Sequence, residues 1–325
     1  MNVRRITLIA LAILAVATAA TASNFRAADT VYLPSAGKVS SGSVVFVTDV
    51  YITNLTTSKV VVSVAFGETG PTANNSQITQ NLKSLATPLE AGERRLVSDI
   101  TGTLFPEKDG KLGFLIFFAC KEGGNCTNCD DFPADCSLIS VEGRIYSFPA
   151  GNPAGGTKGQ LFFGYPWYSF VSPNDAALQL DKVFIVGLRN EGTRPTSGYR
   201  TNFGILNASQ DYNATIKVSV YNGTGTLIGE KSYSVAALGH LQANILDAAP
   251  NFTTSNSVGY AIIQQTGSTL VPGGCAECTP GFFAFGSVLD NVTDDPTTLE
   301  SVYTQQLDIR CVYGSKRADN HPVRR

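Results

Sequence analysis

The side chains best suited to chemistry in this chain are its seven cysteines. Cys126/Cys129 and Cys275/Cys278 are two Cys-x-x-Cys pairs, a spacing that suits half of a four-thiolate zinc site. The two pairs lie in different halves of the chain, and an exported protein keeps its thiols oxidised, so disulfides are the expected state. Cys120 ends one predicted strand and Cys136 begins the next, which places them side by side in a hairpin. The expected bridges are Cys120–Cys136, Cys126–Cys129 and Cys275–Cys278, with Cys311 left over. No helix is predicted after either Cys-x-x-Cys pair to lower a thiol pKa, so a redox role has little support.

Oxygen ligands for calcium are available at Asp290, Asp294 and Asp295, and again at Asp130 and Asp131. Neither cluster has EF-hand spacing, and turn chemistry, in which Asp and Asn accept local backbone hydrogen bonds, accounts for both. Gln160 to Phe170 is the densest aromatic cluster and holds the single Trp. Phe163, Tyr165, Trp167 and Tyr168 are candidates for stacking on a sugar ring. The competing reading makes this segment a terminal strand and linker packed where two domains meet. Catalytic groups are scarce. Of the two His residues, His240 follows Gly239 in a predicted turn and His321 lies in a basic tail. A Gly-x-Ser-x-Gly elbow is absent and no carboxylate pair stands out. No catalytic residue and no cofactor is assigned.

Arg4 and Arg5, an apolar stretch from Ile6 to about Ala19 and the small-x-small run Ala20-Thr21-Ala22 form an export signal, with the mature chain starting near Ser23. The apolar stretch is shorter than the roughly 20 residues that span a bilayer, and no membrane span is expected in the mature chain. Only 15% of residues are charged and the net charge is −2, which argues against nucleic acid as a partner. The eight Asn-x-Ser/Thr sequons, at Asn54, Asn74, Asn125, Asn207, Asn213, Asn222, Asn251 and Asn291, read as turn residues.

Alternating apolar and polar residues, rich in β-branched and aromatic types, predict short strands separated by Gly and Asn turns. Five fall in the first half: Thr30 to Leu33, Val44 to Thr53, Lys59 to Phe66, Leu112 to Cys120 and Ser137 to Ser147. Six fall in the second: Val183 to Leu188, Thr201 to Leu206, Ala214 to Tyr221, Thr226 to Val235, Val258 to Gln265 and Phe282 to Leu289. The halves also repeat each other. Thr48 to Asn54 aligns without a gap on Thr201 to Asn207, Gly92 is matched to Gly239, and Gly113-Phe114-Leu115-Ile116 is matched to Gly259-Tyr260-Ala261-Ile262. Half-buried sheets must cover their apolar faces, so the expected fold is all-β, two tandem antiparallel β-sandwiches of immunoglobulin-like or jelly-roll-like type. The expected organisation is a signal peptide over 1–22, a first sandwich over 23–158, an aromatic linker or terminal strand over 159–180, a second sandwich over 181–312 and a basic tail over 313–325.

The Thr-Asp-x-x-x-x-Asn strand, the Gly-rich turn, the Gly-aromatic strand and the closing Asp290-Asn291-x-Thr-Asp294-Asp295-Pro296 resemble a loosely defined group of secreted bacterial proteins with tandem β-sandwich domains. That resemblance implies extracellular structural or adhesive modules rather than a reaction. The first half lacks the Asp-Asn-x-Thr-Asp-Asp corner. The expected function is a non-catalytic, secreted or cell-surface structural or adhesive protein, with a carbohydrate- or protein-binding module as the alternative and a glycan-active enzyme third. Partners would be further copies of the chain, or glycans or proteins of a cell surface. The extended opening segment, Ser23 to Ala36, either donates a strand to a neighbour or folds back as the first strand of its own domain.

Overall fold

A computed structural model describes residues 27–70, 78, 82–124, 135–178, 181–253 and 257–303. The export segment, Cys126, Cys129, Asp130, Asp131, Cys311, His321 and the basic tail lie outside the described residues.

The first half runs β1 (Thr30–Ser41), β2 (Val44–Asn54), β3 (Val60–Glu68), β4 (Lys83–Ser84), β5 (Arg94–Val97), the single-turn helix α1 (Ile100–Leu104), β6 (Lys111–Lys121), β7 (Ile139–Pro149), β8 (Lys158–Phe163) and β9 (Tyr165–Pro166). The second runs β10 (Lys182–Arg189), β11 (Tyr199–Asn207), β12 (Tyr212–Asn222), β13 (Leu227–Val235), β14 (His240–Asn244), α2 (Ile245–Ala248), β15 (Val258–Leu270), β16 (Phe282–Asp290), β17 (Pro296–Leu299) and β18 (Ser301–Tyr303). Element for element the order is the same. The pairing is the same too: β4-β3-β6-β1-β9 and β5-β2-β7-β8 in the first half become β13-β12-β15-β10-β18 and β14-β11-β16-β17 in the second. One difference is that β1 is long enough to pair with β6 at its start and with β2 at its end, which joins the first two sheets into one. The chain is therefore all-β, two antiparallel sandwiches related by duplication.

Each sandwich closes on the residues that alternation sends inward. Val60, Val62, Val64 and Phe66 of β3 are buried together with Val50 and Ile52 of β2 and Leu115 and Phe117 of β6. Their counterparts Ala214, Ile216, Val218 and Val220 pack with Phe203, Ile205, Ala261 and Ile263. The opening segment folds back: Thr30 to Leu33 pairs with β6 of its own chain, which takes away the free strand that donation to a neighbour requires.

All eleven predicted strands are present, most of them a residue or two longer at one or both ends. One landmark moves by a residue. The Asn54 amide donates to the Glu93 carbonyl and the Asn207 amide to that of Gly239, so Gly92 corresponds to Leu238 rather than to Gly239. Both Gly92 (φ 73°) and Leu238 (φ 49°) take the left-handed conformation that the turn demands. No described helix is long and apolar enough to cross a membrane.

Candidate functional site

The polar residues that mark the repeat hold the backbone together. Thr48 Oγ1 accepts from the Gly37 amide at 2.9 Å and donates to the Gly37 carbonyl at 3.0 Å, and Thr201 does the same with Arg189 at 2.9 and 2.7 Å. Asn54 Nδ2 donates to the carbonyls of Ser58, Leu89 and Glu90 while its Oδ1 accepts from the Thr56 amide. Asn207 repeats all four contacts with Tyr212, Val235, Ala236 and Ser209. All four side chains are fully buried. They spend their hydrogen bonds on carbonyls and amides that a sandwich corner would otherwise leave unpaired. Next to them, Asp49 accepts from the amide of Asp99, the N-cap of α1, and Asn202 accepts from Asn244, the N-cap of α2.

The two sandwiches meet through unlike faces. Register fixes the outer row Ala65–Ile116–Tyr32–Tyr165 on the five-stranded sheet of the first half, with Phe114 beside it. Against it lies the row His240–Leu206–Phe283 from the four-stranded sheet of the second half. Phe283 sits 5.3 Å from Tyr32 and stacks on Tyr165 at 5.1 Å, centroid to centroid. Ala65, Ile116, Phe114, Leu206, Leu238 and Phe283 are buried in this junction. Phe285 goes further and reaches the core of the first sandwich, edge-on to Phe162 at 5.2 Å. Its ring lies over Gly204, where any Cβ would sit 2.1 Å from Phe285 Cζ. A polar seam flanks the apolar one: Lys158 Nζ donates to the Thr293 carbonyl, Ser287 Oγ to Gln160 Oε1 and Thr298 Oγ1 to the Leu161 carbonyl.

His240 is buried inside this junction. Its Nδ1 meets Thr69 Oγ1 at 2.7 Å, its carbonyl accepts from the Gly70 amide, and its ring lies between Phe114 and Phe285. Burial lowers its pKa from 6.5 to about 4, and the Pro34 carbonyl opposes this only in part. Burial holds the imidazole in its neutral form. Burial likewise pushes the Tyr32 phenol up to about 12 and raises that of Tyr165.

The residues expected to bind ligands or metal are spread over three places. Tyr165 is half-buried at the junction, its hydroxyl 3.3 Å from the Ala284 carbonyl. Phe163 ends β8 on the outer face of the first four-stranded sheet, opposite Glu142. Trp167 and Tyr168 sit on a short 3-10 turn, 42% and 37% exposed and edge-to-face at 5.9 Å, with Tyr168 donating to the Ala27 carbonyl. At the acidic corner, Asp290 Oδ1 accepts from the amides of Val292 and Thr293, which holds its carboxyl below the usual range. Asp294 gives one oxygen to Arg194 and the other to Arg200, both at 2.8 Å. Partial burial works against its ionisation, and the two guanidiniums outweigh that and lower its pKa. Asp295 donates its amide to Thr293 Oγ1. Buried Asn291 ties this corner to the carbonyls of Glu191 and Ser197. Among the described residues no group of three His, Cys, Asp or Glu side chains is placed to hold a metal ion.

Cys275 and Cys278 form a disulfide in the loop between β15 and β16. Cys120 and Cys136, at the two ends of the matching loop between β6 and β7, are each disulfide-bonded.

Two faces are left outside the junction. On the second five-stranded sheet the rows are Leu227–Tyr221–Tyr260–Val186 and Glu230–Ser219–Ile262–Phe184–Val302. Tyr221 stacks on Tyr260 at 5.0 Å and Tyr260 on Phe184 at 6.3 Å. Val186, Leu227 and Val302 are each close to half exposed. The first four-stranded sheet presents Leu96–Tyr51–Glu142–Phe163 and Asp49–Arg144–Leu161. There the Arg94 guanidinium lies 4.7 Å over the Tyr51 ring and pairs with Glu142, while Arg144 lies 4.6 Å over Tyr146. These surface residues have no local motif. Only the duplication, followed outward along alternate positions of each strand, points to them. No protein-family model and no curated protein matches this sequence.

Proposed function

We propose that the protein is a non-catalytic, extracellular structural or adhesive module that acts through the outer faces of its sheets. The observation that carries this reading is where the polar groups go. The buried Thr, Asn and His side chains serve the backbone and the junction, whereas the surface offers broad aromatic faces. A face of this kind binds by covering area rather than by positioning a reacting atom. Export fits the Cys275–Cys278 disulfide, since such bridges persist in oxidising compartments. The resemblance to secreted tandem sandwiches points the same way.

The test is to purify the exported protein and measure its retention on whole cells, its capture of arrayed glycans and its turnover of the same polysaccharides. The expected result is retention on cells without hydrolysis. Release of sugars at a rate that scales with protein concentration would overturn it. A carbohydrate-binding reading draws on the exposed edge-to-face pair Trp167 and Tyr168. It predicts array signals that Trp167→Ala removes.

A further inference from the structure

Duplication places a second copy of each half of the junction on the surface. In the junction, the five-stranded face of the first half acts as a socket for the four-stranded face of the second. The counterpart of that socket is the five-stranded face of the second half, and the row Ala65–Ile116–Tyr32–Tyr165 becomes Ser219–Ile262–Phe184–Val302. Phe114 becomes Tyr260 and Gly67 becomes Tyr221. The apolar character is kept and the cover is reduced: Phe114 and Ile116 are buried, their counterparts Tyr260 and Ile262 are half-buried, and Val302, in the place of Tyr165, is 48% exposed. The counterpart of the inserted face is the four-stranded face of the first half, where Arg94, Thr53 and Ser140 replace His240, Leu206 and Phe283.

We propose that the free five-stranded face of one chain receives the free four-stranded face of a second copy, repeating between chains the contact that joins the two halves within one. The changes on the two faces fit each other. His240 packs 5.8 Å from Phe114 inside the chain, and the same placement between chains brings Arg94, which lies over Tyr51 and pairs with Glu142 on its own sheet, beside the Tyr260 ring. Bulk moves across the contact as well. The inserted face gives up Leu206, Leu238, Phe283 and the deeply set Phe285 for Thr53, Gly92, Ser140 and Glu142, so the contact between chains is shallower, while the socket gains Tyr221 where Gly67 stood. A contact with fewer buried aliphatic groups and more hydroxyls is weaker than the one inside the chain, and so reversible. Because the two faces differ, each added chain leaves one of each kind free. Such a heterologous contact closes into a ring or grows as an open filament.

This proposal rests on the structural reading above, and its test separates the two. Sedimentation velocity of the full chain over a range of concentrations should show reversible growth beyond the dimer, or a closed ring. Tyr260→Asp blocks the socket, and Val186→Asp is a second socket variant at an exposed position. Leu96→Asp blocks the inserted face and is also exposed. Each variant alone should remain monomeric, Val186→Asp and Leu96→Asp with an unchanged thermal midpoint, and an equimolar mixture of Val186→Asp and Leu96→Asp should stop at a one-to-one dimer, since one working face of each kind survives. A wild-type chain that stays monomeric at every concentration overturns the proposal. So does a Leu96→Asp chain that associates like wild type while the socket variants do not, which would mean that socket pairs with socket. If the wild-type chain is monomeric at every concentration and still binds cells, assembly is refuted and adhesion stands.

Discussion

At the scale of single residues, the repeat is written in groups that satisfy backbone. The interval from Thr48 to Asn54 recurs from Thr201 to Asn207 because both ends are fully buried and bond backbone atoms in the same pattern. Sequence alone made these residues visible as landmarks, and the structure supplies their job. Asn54→Ala and Asn207→Ala each strip partners from three carbonyls, so each should cost about 3 kcal/mol, read from urea unfolding. Similar losses in the two halves are expected, and a loss at only one would contradict equivalent roles. The same contacts bear on the sequons, since the Asn54 and Asn207 amides are engaged and closed to glycans in the folded chain. His240 gives a second expectation, with a definite sign. Its pKa is lowered from 6.5 to about 4, so the unfolded chain binds the proton first. The stability of the neutral ring is complete above pH 6.5 and is lost as pH falls toward 4. The loss is about 3 kcal/mol by linkage. Unfolding free energies of wild type and His240→Phe, compared across that window, should differ in slope, with the variant flatter.

At the scale of elements, the long central strands were legible and the short edge strands were not. β2, β3, β6, β7, β11, β12, β15 and β16 bury one face or both, so alternation and β-branched composition announce them. β4, β9, β14, β17 and β18 span two to five residues each and owe their pairing to a neighbour rather than to their own pattern. The turn at Gly92 was matched one residue off because glycine is only the commonest way to reach a left-handed turn, and Leu238 reaches the same conformation in the second half. Other glycines are set by close approach. A Cβ on Gly113 would lie 1.9 Å from the Gly67 carbonyl oxygen, and one on Gly259 would lie 1.9 Å from that of Tyr221. Gly113→Ala and Gly259→Ala should each destabilise the fold by about 2 kcal/mol through forced separation of paired strands. Thermal midpoints test this, with Gly151→Ala as a control whose Cβ meets nothing within 4 Å but whose φ of 77° still carries strain. Neither Gly113 nor Gly259 has a positive φ, so backbone strain of the Gly151 kind does not arise there, and an unchanged midpoint in either variant would contradict the strand-contact account.

At the scale of the whole molecule, function depends on which sheet faces the chain covers and which it leaves open. The aromatic segment from Gln160 to Phe170 divides between the two: Tyr165 is stacked in the junction, while Trp167 and Tyr168 face outward. The sequence singled out that segment by its density of rings, but density alone does not say which rings are buried. It passed over Tyr221, Tyr260 and Phe184, which are scattered over three strands and meet only through register. The central claim is that this second five-stranded face is the working surface. Hydroxyl-radical footprinting of the full chain, dilute and then concentrated or bound to cells, tests it most directly. The account predicts that labelling of Tyr221, Tyr260 and Phe184 falls on binding while buried Phe114 and Phe283 stay unlabelled in both states. Unchanged labelling of Tyr221, Tyr260 and Phe184, with protection confined to Trp167 and Tyr168, would contradict it.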